Sequence, residues 1–258
     1  MKNISVIIIT KNEEKNIRGC LKSVCWADEI LLVDAFSGDS TVEIAKEFTD
    51  NIYYKKWEGF ANQKAYALSL AGNDWVLSLD ADEQISPQLK EEILYLNDPD
   101  ISAYEILREN YFLNKKITTC GWDKDYQLRL FIKEKTKVTV DKLVHEGFLV
   151  DGKKKRLNAP MYHYTTPSIE KMIGKINYYS SLHAVENYSS KKKITGLSML
   201  LHGVSAFLRP YISLKGYRDG MHGLLISFLN GLTTILNYAK LWELQKKQTK
   251  EELSENLF

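Results

Sequence analysis

The 258 residues carry 35 Lys and Arg against 33 Asp and Glu, with 44% hydrophobic side chains, 14 Gly and 5 Pro. This composition excludes disordered and fibrous chains, and the length allows one large domain or one domain with an appendage. The near-neutral total conceals an asymmetry. Residues 1–150 hold 19 basic against 25 acidic side chains, net −6, whereas residues 151–250 hold 16 against 5, net +11. A basic C-terminal part suits an anionic partner: a membrane surface, a phosphorylated acceptor or a nucleic acid.

Residues 4–9 form a continuous β-branched run, expected as a buried central parallel strand and too short for a secretory leader. A helix is expected from about Glu13, with Asn12 as N-cap, Glu13 and Glu14 in its first turn and Ile17, Leu21 and Val24 as its apolar stripe. Further strands are predicted over 29–33, 51–54 and 75–79, and further helices from the turn-rich loop 35–41 to about Phe48 and over 61–70. Strands alternating with helices predict βαβ crossovers and a mostly parallel, Rossmann-like sheet flanked by helices, an α/β fold.

From about Asp98 the pattern changes. Strands are predicted over 103–107, 127–132 and 137–140, with loops holding Gly121-Trp122, His145-Glu146 and His163. A helix over 168–188 should bury Ile169, Met172, Ile173, Ile176 and Tyr179. Two unusually apolar helices are predicted over 196–208 and 221–239. The second approaches spanning length but contains His222, Asn230, Thr233, Thr234 and Asn237, so helices lying in a membrane interface are expected rather than a span. Packing on the domain, or on a second copy in a homodimer, is the competing reading. Cys20, Cys25 and Cys120 have no metal spacing and read as spectator thiols of a reducing compartment.

The chemistry concentrates at strand ends. The strand over 75–79 breaks off into Asp80-Ala81-Asp82-Glu83. Two carboxylates one residue apart offer oxygen ligands to a divalent cation holding a diphosphate. Thr10-Lys11-Asn12 and the polar stretch Asp34 to Asp39 also follow strands. Open parallel sheets bind ligands beyond the carboxyl ends of their strands, so the three stretches read as one site. His145 and His163 could each supply a third metal ligand, because neutral imidazole suits Mn²⁺, or could be structural. His183, His202 and His222 fall in predicted helices and read as structural. Trp122 and Tyr126 could stack on a sugar or serve the core.

The order Thr10-Lys11-Asn12-Glu13, then Asp34-Ala35-Phe36-Ser37-Gly38-Asp39-Ser40-Thr41, then Asp80-Ala81-Asp82-Glu83 resembles inverting family 2 glycosyltransferases of the GT-A fold. Gly59-Phe60-Ala61-Asn62-Gln63-Lys64, Gln127-Leu128-Arg129-Leu130-Phe131, Val144-His145-Glu146 and the basic, apolar tail look like the branch containing lipopolysaccharide core β-1,4-glucosyltransferases. The resemblance implies a GT-A catalytic domain over residues 1–167, with its nucleotide-sugar half over 1–97 and its acceptor half over 98–167. Residues 168–258 would be a membrane-associating helical region.

By the same resemblance, Thr10, Asn12 and Glu13 would line the nucleotide pocket, Asp34 would bind the base, and Ser37 and Asp39 would lie beside it. Lys64 would approach the diphosphate or sugar. Asp80 would sit by the ribose or metal, and Asp82 would bind Mg²⁺ or Mn²⁺. Glu146 would be the general base. Arg129 would hold phosphate or orient a carboxylate. The implied enzyme moves a hexose, glucose from UDP-glucose, onto a lipid-linked saccharide such as a lipopolysaccharide inner core. It would lie on the inner face of the cytoplasmic membrane against anionic lipid. Another polysaccharide or protein acceptor, and a non-catalytic membrane-bound nucleotide-sugar-binding protein, are the alternatives. Nucleic-acid binding is not expected, because the basic residues are interleaved with apolar helices.

Overall fold

The computed structural model describes residues 3–139, 147–166, 168–188 and 194–255. In chain order the strands are β1 (Ile4–Thr10), β2 (Glu29–Asp34), β3 (Ile52–Tyr54), β4 (Trp75–Asp80), β5 (Glu83–Ile85), β6 (Ile101–Phe112), β7 (Lys115–Lys116), β8 (Tyr126–Ile132), β9 (Thr136–Thr139), β10 (Gly147–Val150), β11 (Lys153–Arg156) and β12 (Met161–Thr166). The helices are α1 (Ile17–Val24), α2 (Thr41–Ala45), α3 (Phe60–Leu70), α4 (Pro87–Leu94), α5 (Ile169–Tyr188), α6 (Gly196–Leu208) and α7 (Met221–Glu255).

The chain divides into two compact units. One comprises Met1–Tyr111 with Lys124–Thr165, the other Phe112–Asp123 with Thr166–Phe258. In the first, the strands run in the order β3-β2-β1-β4-β8-β6-β12-β5. β1 pairs parallel with β2 and β4, and β2 with β3. β8 then turns the sheet antiparallel against both β4 and β6.

The uninterrupted apolar run of β1 follows from burial on both faces. Val6 and Ile8 pack with Ile17, Leu21 and Val24 of α1 and with Leu89 and Ile93 of α4. Ile7 and Ile9 point the other way, onto Ala67, Leu68 and Ala71 of and after α3. Both faces being covered, the carboxyl ends of β1, β2 and β4 are where the chain can present polar groups, and Thr10, Asp34 and Asp80 terminate them.

Several expectations shift. Asn12 is not an N-cap: it sits at φ +56°. The backbone N–H groups of Asn16 and Ile17 close a turn on the Glu13 carbonyl before α1 begins at Ile17. α2 ends at Ala45, three residues short of the expected Phe48. β6 is far longer than the predicted 103–107. β5, α4, β10, β11 and β12 are additions. β11 is Lys153-Lys154-Lys155-Arg156, a composition that carries no apolar alternation. It is held beside β6 by Lys155 on Asp98 and Arg156 on Glu105.

In the second unit Phe112, Ile117 and Cys120 pack with Ile176 of α5 and with Ile226 and Leu229 of α7. Ile173, expected on the buried face of α5, is exposed, and the buried stripe is Ile176, Ser180 and Ala184. α6 and α7 approach closely at Gly203 and Gly231. A Cβ on Gly203 would stand 2.5 Å from Ile235 Cγ1, and one on Gly231 would stand 3.1 Å from the Gly203 carbonyl oxygen. α7 runs 35 residues because Lys, Glu and Gln, good helix formers, extend it beyond its apolar stretch.

Candidate active site

Two loops at the ends of β1 and β2 are laced together. The backbone N–H of Asn12 donates to Ser37 Oγ at 2.8 Å, and that of Gly38 donates to Asn12 Oδ1 at 2.8 Å. Glu13 N–H donates to Thr41 Oγ1 at 2.8 Å, and Glu14 N–H to Asp39 Oδ2 at 3.2 Å. Asn12, Ser37 and Asp39 therefore brace each other. Burial would push the Asp39 carboxyl up, but hydrogen bonds from the Thr41 hydroxyl and from backbone N–H groups outweigh it and hold the group below its ordinary range.

Asp34 is fully buried, and both its oxygens meet Ser37: the backbone N–H at 2.7 Å and the hydroxyl at 2.5 Å. This is an Asx-type turn cap. Beside these loops, Phe36 sits at φ +56°, exposed, with its ring 5.7 Å from that of Tyr54.

The second half of the site is a charge cluster at the end of β4. An Arg129 Nη stands 2.6 Å from Asp80 Oδ2 and 2.5 Å from Glu83 Oε1. Lys64 Nζ, from α3, is 3.3 Å from Asp80 Oδ1. Glu83 Oε2 accepts the Asp80 backbone N–H at 3.0 Å. Burial alone would raise the Asp80 carboxyl; Arg129 and Lys64 together overcome that and hold it well below the usual carboxylate range. The same burial opposes the charge on Arg129, and Asp80 and Glu83 outweigh it. Thr10 Oγ1 and Arg129 Nε, both buried, have no hydrogen-bond partner among the described residues. Buried polar atoms left without a partner fit a site that a polar ligand completes.

Asp82, two residues beyond Asp80, meets β12. Its Oδ2 lies 3.5 Å from His163 Nε2, and its carbonyl accepts the Tyr164 N–H at 2.9 Å. His163 Nδ1 is 2.6 Å from Asn110 Oδ1. With Nδ1 donating, a neutral ring would aim the lone pair of Nε2 at a carboxylate. Two such groups repel unless a proton or a cation lies between them. Neighbouring ligands of a small divalent ion bound at 2.0–2.2 Å stand about 3 Å apart, so the gap fits one. Among the described residues no three His, Cys, Asp or Glu side chains form a ready-made metal cage. An ion here would complete its shell with substrate oxygens and water, as Mg²⁺ habitually does.

The structure thus brings together Thr10, Lys64, Asp80, Arg129, Asp82 and His163 around the ends of β1 and β4, and ties Asn12, Glu13, Asp34, Ser37 and Asp39 into the neighbouring loops. Glu146 and His145 lie outside the described residues. Cys20 is buried beneath Asp80, where burial first and then the charges of Glu83, Asp82 and Asp80 push its thiol well up, so it is unreactive. Trp122 belongs to the second unit, its ring centroid 6.3 Å from that of Phe112. Arg108, Asn110 and Asp125 were not anticipated, because their partners lie 15 to 53 positions away along the chain.

Residues 5–143 match the family model described as glycosyl transferase family 2. The chain belongs to glycosyltransferase family 2. An uncharacterized glycosyltransferase of Rickettsia typhi is 32% identical across 99% of this chain and 92% of its own length. The lipopolysaccharide core biosynthesis glycosyltransferase LpsC of Rhizobium meliloti is 27% identical across 93% of this chain and 92% of its own. Among solved structures, S. aureus TarS 1–349 in complex with UDP is 16% identical with a TM-score of 0.48, covering 92% of this chain and 90% of that one. Glucosyl-3-phosphoglycerate synthase from Mycobacterium tuberculosis, in complex with Mn²⁺ and UDP-glucose, is 20% identical with a TM-score of 0.36, covering 42% of this chain and 44% of that one. As a member of family 2 the enzyme is a glycosyltransferase of the GT-A type, its mostly parallel sheet flanked by helices.

Proposed function

We propose that the enzyme is a metal-dependent inverting hexosyltransferase. It moves glucose from UDP-glucose onto a lipid-linked saccharide such as a lipopolysaccharide inner core, forming a β-linkage. The observation that carries the metal and donor reading is the facing pair Asp82 and His163, 3.5 Å apart beside the Asp80, Lys64 and Arg129 cluster. Asp82 and His163 hold Mg²⁺ or Mn²⁺. When bound, the ion neutralises charge developing on the departing diphosphate.

Lys64, its ammonium 3.3 Å from Asp80 in the same cluster, adds positive charge toward the same phosphates. Arg129 is too buried to reach phosphate freely; it orients Asp80, which is left to face the ribose. Asp34 is held by Ser37 with its carboxylate fixed for a base N–H. Glu146 accepts the proton of the attacking hydroxyl, worth about 10²–10⁴ in rate. A single displacement with one base inverts the anomeric centre. The choice of UDP-glucose rests on the motif resemblance, and that of the acceptor on the likeness to LpsC.

The second unit supports a lipid-linked acceptor and a peripheral place on the inner face of the cytoplasmic membrane. On α6, Leu197, Leu200, Leu201, Val204 and Leu208 form one exposed stripe at helical spacing. Arg209, Lys215 and Arg218 follow it, also exposed. The one acid between residues 189 and 242, Asp219, is buried on Thr119 and Lys115. An apolar stripe bordered by cations suits an anionic lipid surface. A homodimer built on this face would set two positive borders against each other. α7 is long and apolar enough over Met221–Lys246 to cross a membrane by length and composition, yet Ile226, Leu229 and Leu241 are buried within its own unit.

The test is transfer or hydrolysis of nucleotide sugars by the purified enzyme with Mn²⁺ or Mg²⁺. Turnover of UDP-glucose, abolished by chelator and by Asp82→Asn, supports the reading. Neither turnover nor UDP binding under any metal overturns it.

A further inference from the structure

A chain of hydrogen bonds runs behind His163, away from Asp82, and the proposed function does not use it. Asn110 is buried on β6, two residues beyond Arg108 on the same face of the strand. Its Nδ2 donates to Asp125 Oδ2 at 3.0 Å and to the Arg108 carbonyl at 3.3 Å. Asp125 is itself pinned, by Arg108 Nε at 2.7 Å and by Gln127 Nε2 at 2.6 Å.

The direction of this chain is forced. Burial would raise the Asp125 carboxyl, but Arg108, Asn110 and Gln127 together hold it below the ordinary range. An ionised carboxylate only accepts hydrogen bonds. Asn110 must therefore turn its amide –NH₂ to Asp125, which leaves its carbonyl for His163 Nδ1, 2.6 Å away. A carbonyl only accepts, so Nδ1 carries the proton, and a neutral ring then turns the lone pair of Nε2 to Asp82.

We propose that Asn110, aimed by Asp125, is a positioning residue that locks His163 in its Nδ1–H tautomer and so presents Nε2 as a ligand for the cation shared with Asp82. The proposal rests on the metal reading of the site. Its chemistry requires a neutral imidazole at this position, held by an acceptor on the far nitrogen. Without that acceptor the ring can reverse its tautomer and donate Nε2–H to Asp82, which closes the metal position with a hydrogen bond.

The experiment reads tautomer and metal separately. Two-bond ¹H–¹⁵N correlation spectra of ¹⁵N-histidine-labelled full-length protein, at about pH 8.5, well above the free imidazole value, report which nitrogen of His163 is protonated. Assignment comes from His163→Gln. Titration calorimetry of Mn²⁺ in the presence of UDP gives affinity. Wild type should show the Nδ1–H form. Asn110→Leu should shift to a mixture or to Nε2–H and lose about 10–100-fold in Mn²⁺ affinity. Asp125→Asn keeps a carbonyl acceptor for the Asn110 amide and should retain both the tautomer and most of the affinity; loss of both would overturn the claim that Asp125 acts by aiming that amide. An unchanged tautomer in Asn110→Leu overturns the proposal alone. A changed tautomer with unchanged Mn²⁺ affinity also overturns it, because His163 is then no ligand. A wild type that binds no Mn²⁺ with UDP overturns the metal reading and this proposal together, whatever the tautomer.

Discussion

Arg129 and Asp80 meet at 2.6 Å, guanidinium nitrogen to carboxylate oxygen, at the end of the central parallel strands. Arg129 comes from β8, which runs antiparallel to β4, so the pair joins the parallel and antiparallel halves of the sheet. The same guanidinium also reaches Glu83, fully buried beneath. One cation thus balances two carboxylates, and Arg108 contributes a second at 3.3 Å from Glu83.

Removing the cation should be costly. Arg129→Met leaves two carboxylates buried and under-compensated, and breaking a buried pair this way costs about 3–5 kcal/mol. Chemical denaturation should show that loss at neutral pH. Asp80 has a depressed folded-state value, so its contribution is fully present above the unfolded carboxylate value of about 3.9 and fades as pH falls below it. The difference between wild type and Arg129→Met should therefore narrow in acid. A pH-independent difference would contradict this electrostatic account.

The loop lacing predicts a smaller effect. Ser37→Ala removes the hydroxyl that donates to Asp34 and accepts from the Asn12 backbone. The expected loss is about 1–3 kcal/mol, because a buried carboxylate oxygen loses a donor. Hydrogen exchange should show faster opening of loops 11–16 and 35–41, with α4 and β6 unaffected. Uniform acceleration across the first unit would mean that the lacing is not local.

The exposed stripe on α6 predicts vesicle binding. Sedimentation with anionic phosphatidylglycerol vesicles should retain the wild type, and neutral phosphatidylcholine vesicles should retain much less. Leu200→Glu with Leu201→Glu should weaken binding at least about tenfold, since one buried Leu is worth about 1.5–3 kcal/mol. Turnover of a soluble acceptor analogue should be unchanged. Equal binding to both lipids would argue against a role for Arg209, Lys215 and Arg218.

The parallel half of the fold was legible because its signals are local. Ile4 to Ile9 declares a doubly covered strand, and each of Thr10, Asp34 and Asp80 marks where such a strand ends in a polar group. The antiparallel half was legible only in β6, β8 and β9; β5 is three residues long and β11 is all Lys and Arg. Their place in the sheet is fixed by partners and ion pairs, which leave no periodicity. The site divides likewise. Asp82 and Lys64 carry recognisable motifs. The Asn110 and Asp125 brace behind His163 depends on the register of β6 and β8, where Leu107 pairs with Tyr126. Asn12 shows the opposite failure: its residue type suits an N-cap, but the loop contacts with Ser37 and Gly38 hold it in the left-handed region instead.

The most direct measurement is calorimetric titration of UDP-glucose into wild-type enzyme and Asp82→Asn, each with Mn²⁺ and with chelator. Binding should require Mn²⁺ in the wild type and fall at least about tenfold in Asp82→Asn, as expected when a metal ligand is lost. Equal binding with and without Mn²⁺, or no difference between the two proteins, would contradict the claim that Asp82 and His163 hold the cation that receives the donor diphosphate.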